Sequence, residues 1–261
     1  MTRILAHTRI ISAILVVFLL AGCASTEQRS PHPKDPWEGF NRSMYNVNRG
    51  LDKAIMKPLA QGYKAVTPDF LEQGISNALA NLRFPVTIVN LLLQGKLEDT
   101  GIALGRFVLN STFGIGGLVD VATREGIPNY SEDFGQTFAV WGWENSNYLM
   151  IPLLGPSTLR DGIGIVPELW TDGVSIIVNQ TDHYWLLGLN FVERRAAFLS
   201  REGALDDADD EYAFIRDAYL QRRDFLIKDG ETELPDYDDF LLDDEEFDDS
   251  EFYNDGIQRP L

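Results

Sequence analysis

Few residues of this 261-residue chain are spaced for catalysis or for metal binding. Of its three histidines, only His183 lies where a folded active site could use it. One histidine without a second histidine or a cysteine nearby does not make a zinc site, and the Gly-x-Ser-x-Gly pattern of serine hydrolases is absent. The acids Asp206, Asp207, Asp209 and Asp210 lack the spacing of a calcium-binding loop. The sequence therefore predicts a protein that is not an enzyme and holds no metal.

The glycine-rich segments do not match a nucleotide-binding loop. A dinucleotide site needs three glycines at fixed spacing after a strand, and the cluster Gly114, Gly116 and Gly117 does not have that spacing. An ATP-binding loop needs serine or threonine after Gly-Lys, but Gly95-Lys96 is followed by Leu97. We therefore expect no cofactor and no built-in source of energy. The three clustered glycines are interpreted instead as a bend between apolar helices, with close backbone packing and a hinge as their candidate roles.

The residue with the clearest chemistry is Cys23, whose thiol is a candidate for lipid attachment. It ends the segment Leu20-Ala21-Gly22-Cys23, which follows an apolar run from Ile10 to Leu20 and the cations Arg3 and Arg9. This order is typical of a secretory signal, and the cysteine at the cleavage point resembles a bacterial lipobox. The apolar run is too short to cross about 30 Å of hydrocarbon, so we expect cleavage before Cys23 and anchoring by its acyl chains.

The lipobox and the composition divide the chain into four parts. They are a signal peptide at 1–22, a lipidated tether at 23–34, a domain at 35–230 and an acidic, disordered tail at 231–261. Ala24, rather than aspartate, follows the cysteine, which favours the outer membrane by the usual sorting convention. No other cysteine is present, so the domain must fold without an intramolecular disulfide.

The charge is concentrated at the end of the chain. Of a net charge of −18, the segment from Asp229 onward supplies −13, from fourteen acids against one base, Arg259. A strongly acidic chain does not suit a nucleic-acid partner, and an acidic tail should point away from anionic lipid, into the periplasm.

Helical patterns dominate the domain. Start signals at Asp35-Pro36 and at Thr67-Pro68-Asp69 precede apolar stripes, and a third helix should run from Asp209 to Gly230. The predicted stripes are Phe40, Met44, Val47, Leu51 and Ile55; Leu71, Ile75, Leu79 and Leu82; Leu186, Leu189, Val192, Ala196 and Leu199; and Tyr212, Ile215, Tyr219 and Leu226.

Uncharged segments in the middle of the chain need burial on every side or contact with lipid. They include Phe84–Gly95 and Phe107–Val119, and each is shorter than the roughly 20 residues that cross a membrane. A small β-hairpin is predicted near residues 138–152, with Phe138–Trp143 as a strand, and Ser157 is expected to cap a short helix. The tryptophans Trp141, Trp143, Trp170 and Trp185 suit either the membrane–water boundary or a core.

A series of ordered motifs resembles the MlaA (VacJ) family of lipoproteins and covers about residues 35 to 230. The motifs are Asp35-Pro-Trp-Glu-Gly-Phe-Asn-Arg-Ser-Met-Tyr45, Asn90–Gly95, Arg106-Phe-Val-Leu-Asn110, Gly116-Gly-Leu-Val-Asp-Val-Ala122, Asp133-Phe-Gly-Gln-Thr137, Gly155-Pro-Ser-Thr-Leu-Arg-Asp161 and Asp217-Ala-Tyr-Leu-Gln-Arg-Arg-Asp-Phe225.

The resemblance implies a mostly α, ring-like bundle of short amphipathic and apolar helices in the inner leaflet of the outer membrane of a Gram-negative bacterium. It implies a passive channel through which misplaced phospholipid leaves the outer leaflet. It further implies a trimeric outer-membrane porin, a periplasmic lipid carrier of the MlaC type and an ATP-driven inner-membrane complex as partners.

Candidate residues of a lipid path follow from the apolar segments and from the polar residues beside them. Val89, Leu91, Leu92, Phe107 and Leu118 are candidates for an apolar wall, and Asn41, Asn90 and Asn110 are candidates for a polar side. Packing is the competing role for each of them. Two other functions stay open: a structural lipoprotein that braces a porin without moving lipid, and a lipid hydrolase that would need His183 beside a serine and an acid.

Overall fold

The computed structural model describes residues 32–171, 180–206 and 208–230. Cys23, the signal peptide and the acidic tail at 231–261 lie outside the described residues. The described chain is mostly helical with one two-stranded antiparallel sheet, as predicted. Its elements are α1 (Glu38–Leu51), a π-helical turn (Asp52–Met56), α2 (Lys57–Val66), α3 (Asp69–Leu93), α4 (Leu97–Thr112), α5 (Val121–Arg124), α6 (Phe134–Val140), β1 (Tyr148–Ile151), β2 (Gly155–Thr158), α7 (Leu159–Thr171), α8 (Gln180–Phe198), α9 (Gly203–Asp206) and α10 (Glu211–Ile227).

Asp35 joins the two ends of the domain rather than capping the first helix. The predicted start at Pro36 is slightly early, because α1 begins at Glu38 without a side-chain cap. The buried carboxylate of Asp35 accepts hydrogen bonds from Asn41 Nδ2 at 2.8 Å and from the hydroxyl of Tyr212 in α10. A buried carboxylate needs such donors, so this contact ties the start of the domain to its last helix.

The apolar stripe predicted on α1 is present, but only its beginning is buried. Met44 is 2% exposed, whereas Val47 is 47% exposed and Leu51 and Ile55 are exposed as well. The π-helical turn carries α1 directly into α2. The second half of this stripe therefore faces outward.

The uncharged segment at 84–95 is the second half of one continuous helix. α3 has 25 residues and is about 37 Å long at the usual rise per residue. Pro85 lies inside it and cannot donate to the carbonyl of Asn81. Gly95, with φ of 78°, reverses the chain so that α4 packs back on α3. Phe84, Leu91 and Ala103 form the core between these two helices.

The predicted β-hairpin exists, but it lies at 148–158, and the strand predicted at Phe138–Trp143 is wrong. Residues up to Val140 continue α6, whose start is fixed by Asp133, since its Oδ1 accepts from Gln136 N at 2.9 Å. The hairpin pairs Tyr148 with Thr158. The local pattern of aromatic residues favoured a strand, but a strong helix cap and the burial of most of α6 decide the conformation.

The cap predicted at Ser157 is also wrong by one residue. Ser157 lies in β2, and its hydroxyl donates to the carbonyl of Thr158. Thr158 Oγ1 instead accepts from the backbone N–H of Asp161 at 3.1 Å at the start of α7. Strand pairing occupies Ser157 and leaves the next hydroxyl to cap the helix.

The last helix is confirmed. Asp210 caps α10 by accepting from Ala213 N at 3.2 Å, and Gly230, with φ of 87°, follows its end. Ion pairs fasten it on two sides, from Arg42 of α1 to Asp210 and from Arg223 to Asp133 before α6. α10 therefore connects the first helix with the middle of the chain.

Contacts between elements follow a closed circuit. α2 packs on α8, α8 on α3, and α3 on α4, α6 and α7. α6 contacts α10, α10 contacts β2, and β1 contacts α1, which leads back to α2. A second core of tyrosines and methionines lies where α1, β1 and α10 meet.

Candidate functional site

The surface of the described domain is unusually apolar. It exposes 33 large apolar side chains, against 11 large apolar side chains and five alanines that are buried in the described part. Single exposed apolar residues are ordinary in soluble proteins, but contiguous patches beyond a few hundred Å² mark a membrane or protein contact.

Many of these exposed side chains repeat at helical spacing and therefore form stripes. The stripes are Val47, Leu51, Ile55 and Leu59 from α1 to α2; Leu97, Leu104 and Val108 on α4; and Leu159, Ile163, Val166 and Trp170 on α7. None of the described helices is both long enough and apolar enough to span a bilayer.

The four tryptophans left open by the sequence are all on the surface. Trp141, Trp143, Trp170 and Trp185 are exposed, with Trp170 at 82%. The indole N–H of Trp141 donates to the carbonyl of Leu93 at 3.1 Å. Their exposure excludes the core role considered for them, and the role at the membrane–water boundary stays a prediction.

The interior is correspondingly polar. Nearly as many polar or charged side chains as apolar ones are buried in the described chain, including Asn90, Arg160 and Glu193. Such groups are costly to bury unless they are hydrogen bonded. The polarity of the fold is thus partly reversed, with apolar stripes outside and charged networks inside.

The side chain of Asn41 is hydrogen bonded to the backbone of β1. It is fully buried, its Nδ2 also donates to Tyr148 O at 3.2 Å, and its Oδ1 accepts from Met150 N at 2.9 Å. The side chain therefore supplies partners to the free edge of β1, in place of a third strand. Both polar ends of the amide are occupied by protein.

Asn90 joins α3 to α6. Its Nδ2 donates to Val86 O at 2.8 Å, and its Oδ1 accepts from Thr137 Oγ1 at 2.7 Å. It is fully buried beside Leu91, which belongs to the core. In this conformation neither Asn41 nor Asn90 borders solvent.

Asn110 holds the loop after α4. Its Nδ2 donates to Asp120 Oδ1 at 3.0 Å, and its Oδ1 accepts from Ala122 N at 2.9 Å. Desolvation opposes ionisation of Asp120, but hydrogen bonds from Thr123 and Asn110 and the charge of Arg106 outweigh it and lower the pKa of Asp120. The carboxylate therefore stays ionised and fixes the loop to α4.

The glycine cluster is closely packed. A Cβ on Gly114 would lie 2.2 Å from the carbonyl oxygen of Val119, and one on Gly117 would lie 2.4 Å from Asn81 Cβ. Gly116 and Gly117 have φ of 67° and 92°. Only glycine fits this turn without strain, and the hinge role predicted for the cluster stays a prediction.

A pocket of about 110 Å³ lies between α3, α4 and the glycine loop. Its wall carries Asn77, Asn81, Asn110 and Asn129, together with the ion pair of Arg106 and Asp120. Pockets for drug-sized ligands measure about 300–1,000 Å³, so this one suits water or a small polar group. It brings together two predicted site residues, Asn110 and Gly117.

The five predicted wall residues divide into three groups. Leu91 is fully buried in the core. Val89 and Phe107 are half-buried, and Phe107 packs against that core. Leu92 and Leu118 are exposed. Leu91 therefore has a packing role, whereas Leu92 and Leu118 lie on the surface and their place in a lipid path stays a prediction.

Two arginines were not among the site residues predicted from the sequence. Arg83 of α3 and Arg194 of α8 have no carboxylate within 4 Å among the described residues, and Arg83 Nη1 reaches only Asn190 Oδ1, at 3.4 Å. A cation inside the otherwise apolar stretch before Pro85 was the one available signal for Arg83. Nothing local in the sequence joins it to a residue more than 100 positions later.

The described part of the chain offers no cluster for the metal chemistry considered in the sequence. Among the described residues, no three histidine, cysteine or acidic side chains form a group that could hold a metal ion. The side chains of His183 and Asp206, and all of Asp207, lie outside what the structure describes.

Comparisons with known proteins agree with this architecture. The family model described as MlaA lipoprotein matches residues 33–226. The intermembrane phospholipid transport system lipoprotein MlaA of Escherichia coli (strain K12) is 35% identical over 233 residues, which are 85% of this chain and 90% of that protein. The protein of the same name from Haemophilus influenzae is 29% identical over 235 residues, or 85% and 91% of the two chains.

A solved structure from work on the structural basis for maintenance of bacterial outer membrane lipid asymmetry superposes with a TM-score of 0.66. It is 33% identical and covers 76% of this chain and 100% of its own. Both the family model and the relatives span most of the domain, and the chain therefore belongs to the MlaA lipoprotein family.

Proposed function

We propose that this protein is an outer-membrane lipoprotein that acts as a passive phospholipid conduit. It removes mislocalised phospholipid from the outer leaflet and hands it to a periplasmic carrier, and so maintains the asymmetry of the membrane. The names of its relatives support this class of function. The proposal involves no catalytic step.

The reversed polarity of the domain is the observation that carries the proposal. A phospholipid leaving one leaflet must move its charged headgroup through about 15 Å of hydrocarbon. An unpartnered charge in that environment costs several kcal/mol. A polar interior surrounded by apolar helices lowers this cost, because the headgroup keeps polar partners while the acyl chains stay among apolar side chains.

The exposed stripes support a position in one leaflet. About ten helical residues rise 15 Å, the depth of one leaflet. The half-buried and exposed faces of α1, α4 and α7 then meet acyl chains, the exposed tryptophans lie near the headgroups, and the acyl chains on Cys23 add a second attachment. The proposed orientation is the inner leaflet, with the acidic tail in the periplasm.

Transport partners follow from the passive mechanism. A conduit without its own energy source needs an acceptor, for which a soluble carrier of the MlaC type is proposed, and an ATP-driven complex further on. The apolar stripes also offer a surface for a trimeric porin. The lipid-path residues proposed on structural grounds are Leu92, Leu118 and Phe107, with Asn110 at the polar pocket.

A structural brace is the second candidate. The pocket between α3 and α4 is smaller than a phospholipid requires, which would suit a protein that holds a porin and moves no lipid. This alternative needs the same anchor and the same apolar surface. The two candidates differ in whether surface phospholipid changes while the porin contact is retained.

The test uses the full-length chain in a Gram-negative strain that lacks its own family member. Outer-leaflet phosphatidylethanolamine is measured with a membrane-impermeant amine reagent, and porin is recovered by affinity purification of the lipoprotein. The conduit predicts that the wild type lowers surface phospholipid relative to empty vector. Recovery of porin with no fall in surface phospholipid would support the brace and contradict transport.

A variant of the exposed stripe on α4 provides a second test in the same assay. Leu104→Asp with Val108→Asp puts charge on the exposed face of α4 and should abolish the effect on surface phospholipid. Gln221→Asp, on the exposed surface of α10, adds the same kind of charge outside the stripes and should leave it intact.

A further inference from the structure

Arg83 and Arg194 differ from the ion-paired arginines of the described domain. Seven arginines hold a carboxylate within 4 Å: Arg42, Arg49, Arg106, Arg160, Arg195, Arg216 and Arg223. Arg83 is half-buried, and neither it nor Arg194 has such a partner among the described residues. A guanidinium without a carboxylate retains its donors for another anion.

The geometry brings the two side chains to one place. Arg83 Nη1 donates to Asn190 Oδ1 at 3.4 Å across the contact between α3 and α8. Asn190 and Arg194 are four residues apart on α8, so they lie on the same face of that helix. Asn190 therefore places Arg83 against the face of α8 that also carries Arg194, one turn further along.

Arg194 is exposed on α8, and its charge is still influenced by the protein around it. Desolvation lowers its pKa, and the positive charge of Arg83 lowers it further. Both groups remain cationic at neutral pH because arginine ionises so strongly.

Two carboxylates lie within electrostatic range. The charges of Glu193 and Glu168 both act on Arg194, and Glu168 is also influenced by Arg83 and Asp133. Neither glutamate forms an ion pair with Arg83 or Arg194 in the described structure. Glu193 is buried next to Arg194 in the chain, and its charge also acts on Tyr63 of α2.

We propose that Arg83, Arg194 and Asn190 form a binding site for a phosphoryl oxyanion where α3 meets α8, with a phospholipid headgroup as its ligand. Two guanidinium forks from different helices suit the several oxygens of a phosphodiester, and the amide of Asn190 holds one fork in position. Assignment to a headgroup rests on the function proposed above. Glu168 limits the net positive charge of the site, which favours weak, reversible binding in a path that lipid must leave.

The test measures binding by the full-length lipoprotein in a non-ionic detergent. Phosphatidylglycerol is titrated and retained lipid is counted by native mass spectrometry, and inorganic phosphate is titrated separately by calorimetry. Arg83→Gln with Arg194→Gln should weaken phosphatidylglycerol binding by about tenfold or more, since two charge-assisted contacts are lost. Glu168→Gln should strengthen it, because a repelling charge is removed.

The control removes the same charge elsewhere. Arg124 and Arg222 are exposed, and Arg124→Gln with Arg222→Gln should leave binding unchanged. Phosphatidylglycerol binding that depends on Arg83 and Arg194 assigns the site to a headgroup. Dependence seen only for inorganic phosphate supports an oxyanion site but assigns it to a free anion.

Equal phosphatidylglycerol binding by the wild type, by the Arg83→Gln and Arg194→Gln variant and by the Arg124→Gln and Arg222→Gln control would overturn the site. The assay of surface phospholipid in cells distinguishes failure of the anion site from failure of the proposed conduit. A wild type that lowers surface phospholipid, together with a folded Arg83→Gln and Arg194→Gln variant that lowers it equally, would leave the conduit standing and remove the anion site.

Discussion

Arg223 on α10 is the residue whose loss should weaken the fold most. It is 8% exposed, and its two terminal nitrogens donate to both oxygens of Asp133 and to Asp161 Oδ1 at 2.9 Å. Replacing it with glutamine leaves Asp133 with no cation, whereas Asp161 keeps Arg160. Breaking a buried pair costs about 3–5 kcal/mol.

The lower end of that range applies here, because the Asp133 side chain is 32% exposed and recovers some hydration. We therefore expect Arg223→Gln to lower the free energy of unfolding by about 3 kcal/mol, which corresponds to a fall in Tm of about 6 to 12 °C for a domain of this size. Thermal unfolding of the detergent-solubilised protein is the assay. Arg222→Gln, at the exposed neighbour, should change stability by less than about 0.5 kcal/mol.

The pH dependence of stability provides a second test of the role of Arg223. Desolvation opposes ionisation of Asp133, but the hydrogen bonds and charge of Arg223 outweigh it and lower its pKa. This stabilisation is present above the unfolded pKa, about 3.9, and disappears as the pH falls through the folded value. The difference between wild type and Arg223→Gln should therefore shrink below about pH 4. A difference that is small at pH 7, or equal at pH 3 and pH 7, would refute the reasoning.

Three further predictions test the loop, the interior and the surface. Gly117→Ala should lower the free energy of unfolding by about 2 kcal/mol or more, because Gly117 has a positive φ and lies close to Asn81. Gly105→Ala, in open space on α4, should instead raise the free energy of unfolding by about 0.5–1 kcal/mol in the same assay. Glu168→Gln should raise stability at pH 7 but not below the unfolded carboxyl pKa, because desolvation first and a neighbouring carboxylate second raise the pKa of Glu168 in the fold; a loss of stability at pH 7 would contradict this. Val108→Asp should increase carbonate extraction of the protein from membranes without lowering Tm, and unchanged extraction would argue against lipid contact at α4.

Local patterns predicted the helices well, because helix caps and apolar spacing are local properties of the chain. The start at Asp69 and the end at Gly230 are such cases. The strand predicted at Phe138–Trp143 failed because the aromatic residues there suit a strand, while the cap at Asp133 and the burial of α6 favour a helix.

The direction in which each stripe faces could not be predicted in the same way. Apolar spacing marks a face of a helix and says nothing about what covers it. Met44 and Ile55 belong to one stripe, yet one is buried against β1 and α10 and the other is exposed. Only the arrangement of distant elements distinguishes them.

The candidate site shows the same limit. The asparagines were selected because polar residues beside apolar ones suit an amphipathic path. Asn41 and Asn90 turn out to be bound to backbone and side-chain partners in the interior. Arg83 contacts Asn190, one turn before Arg194, where α3 packs on α8, and no local pattern encodes that contact.

Photocrosslinking inside and outside the circuit of helices tests the central claim most directly. A photoreactive residue is placed at Asn190, beside Arg83, and another at Val108 on the exposed stripe of α4, in living cells that carry the full-length chain. The captured molecules are identified by mass spectrometry. The account predicts phospholipid at both positions, and capture of lipid at Val108 but only of protein at Asn190 would contradict a path through the domain.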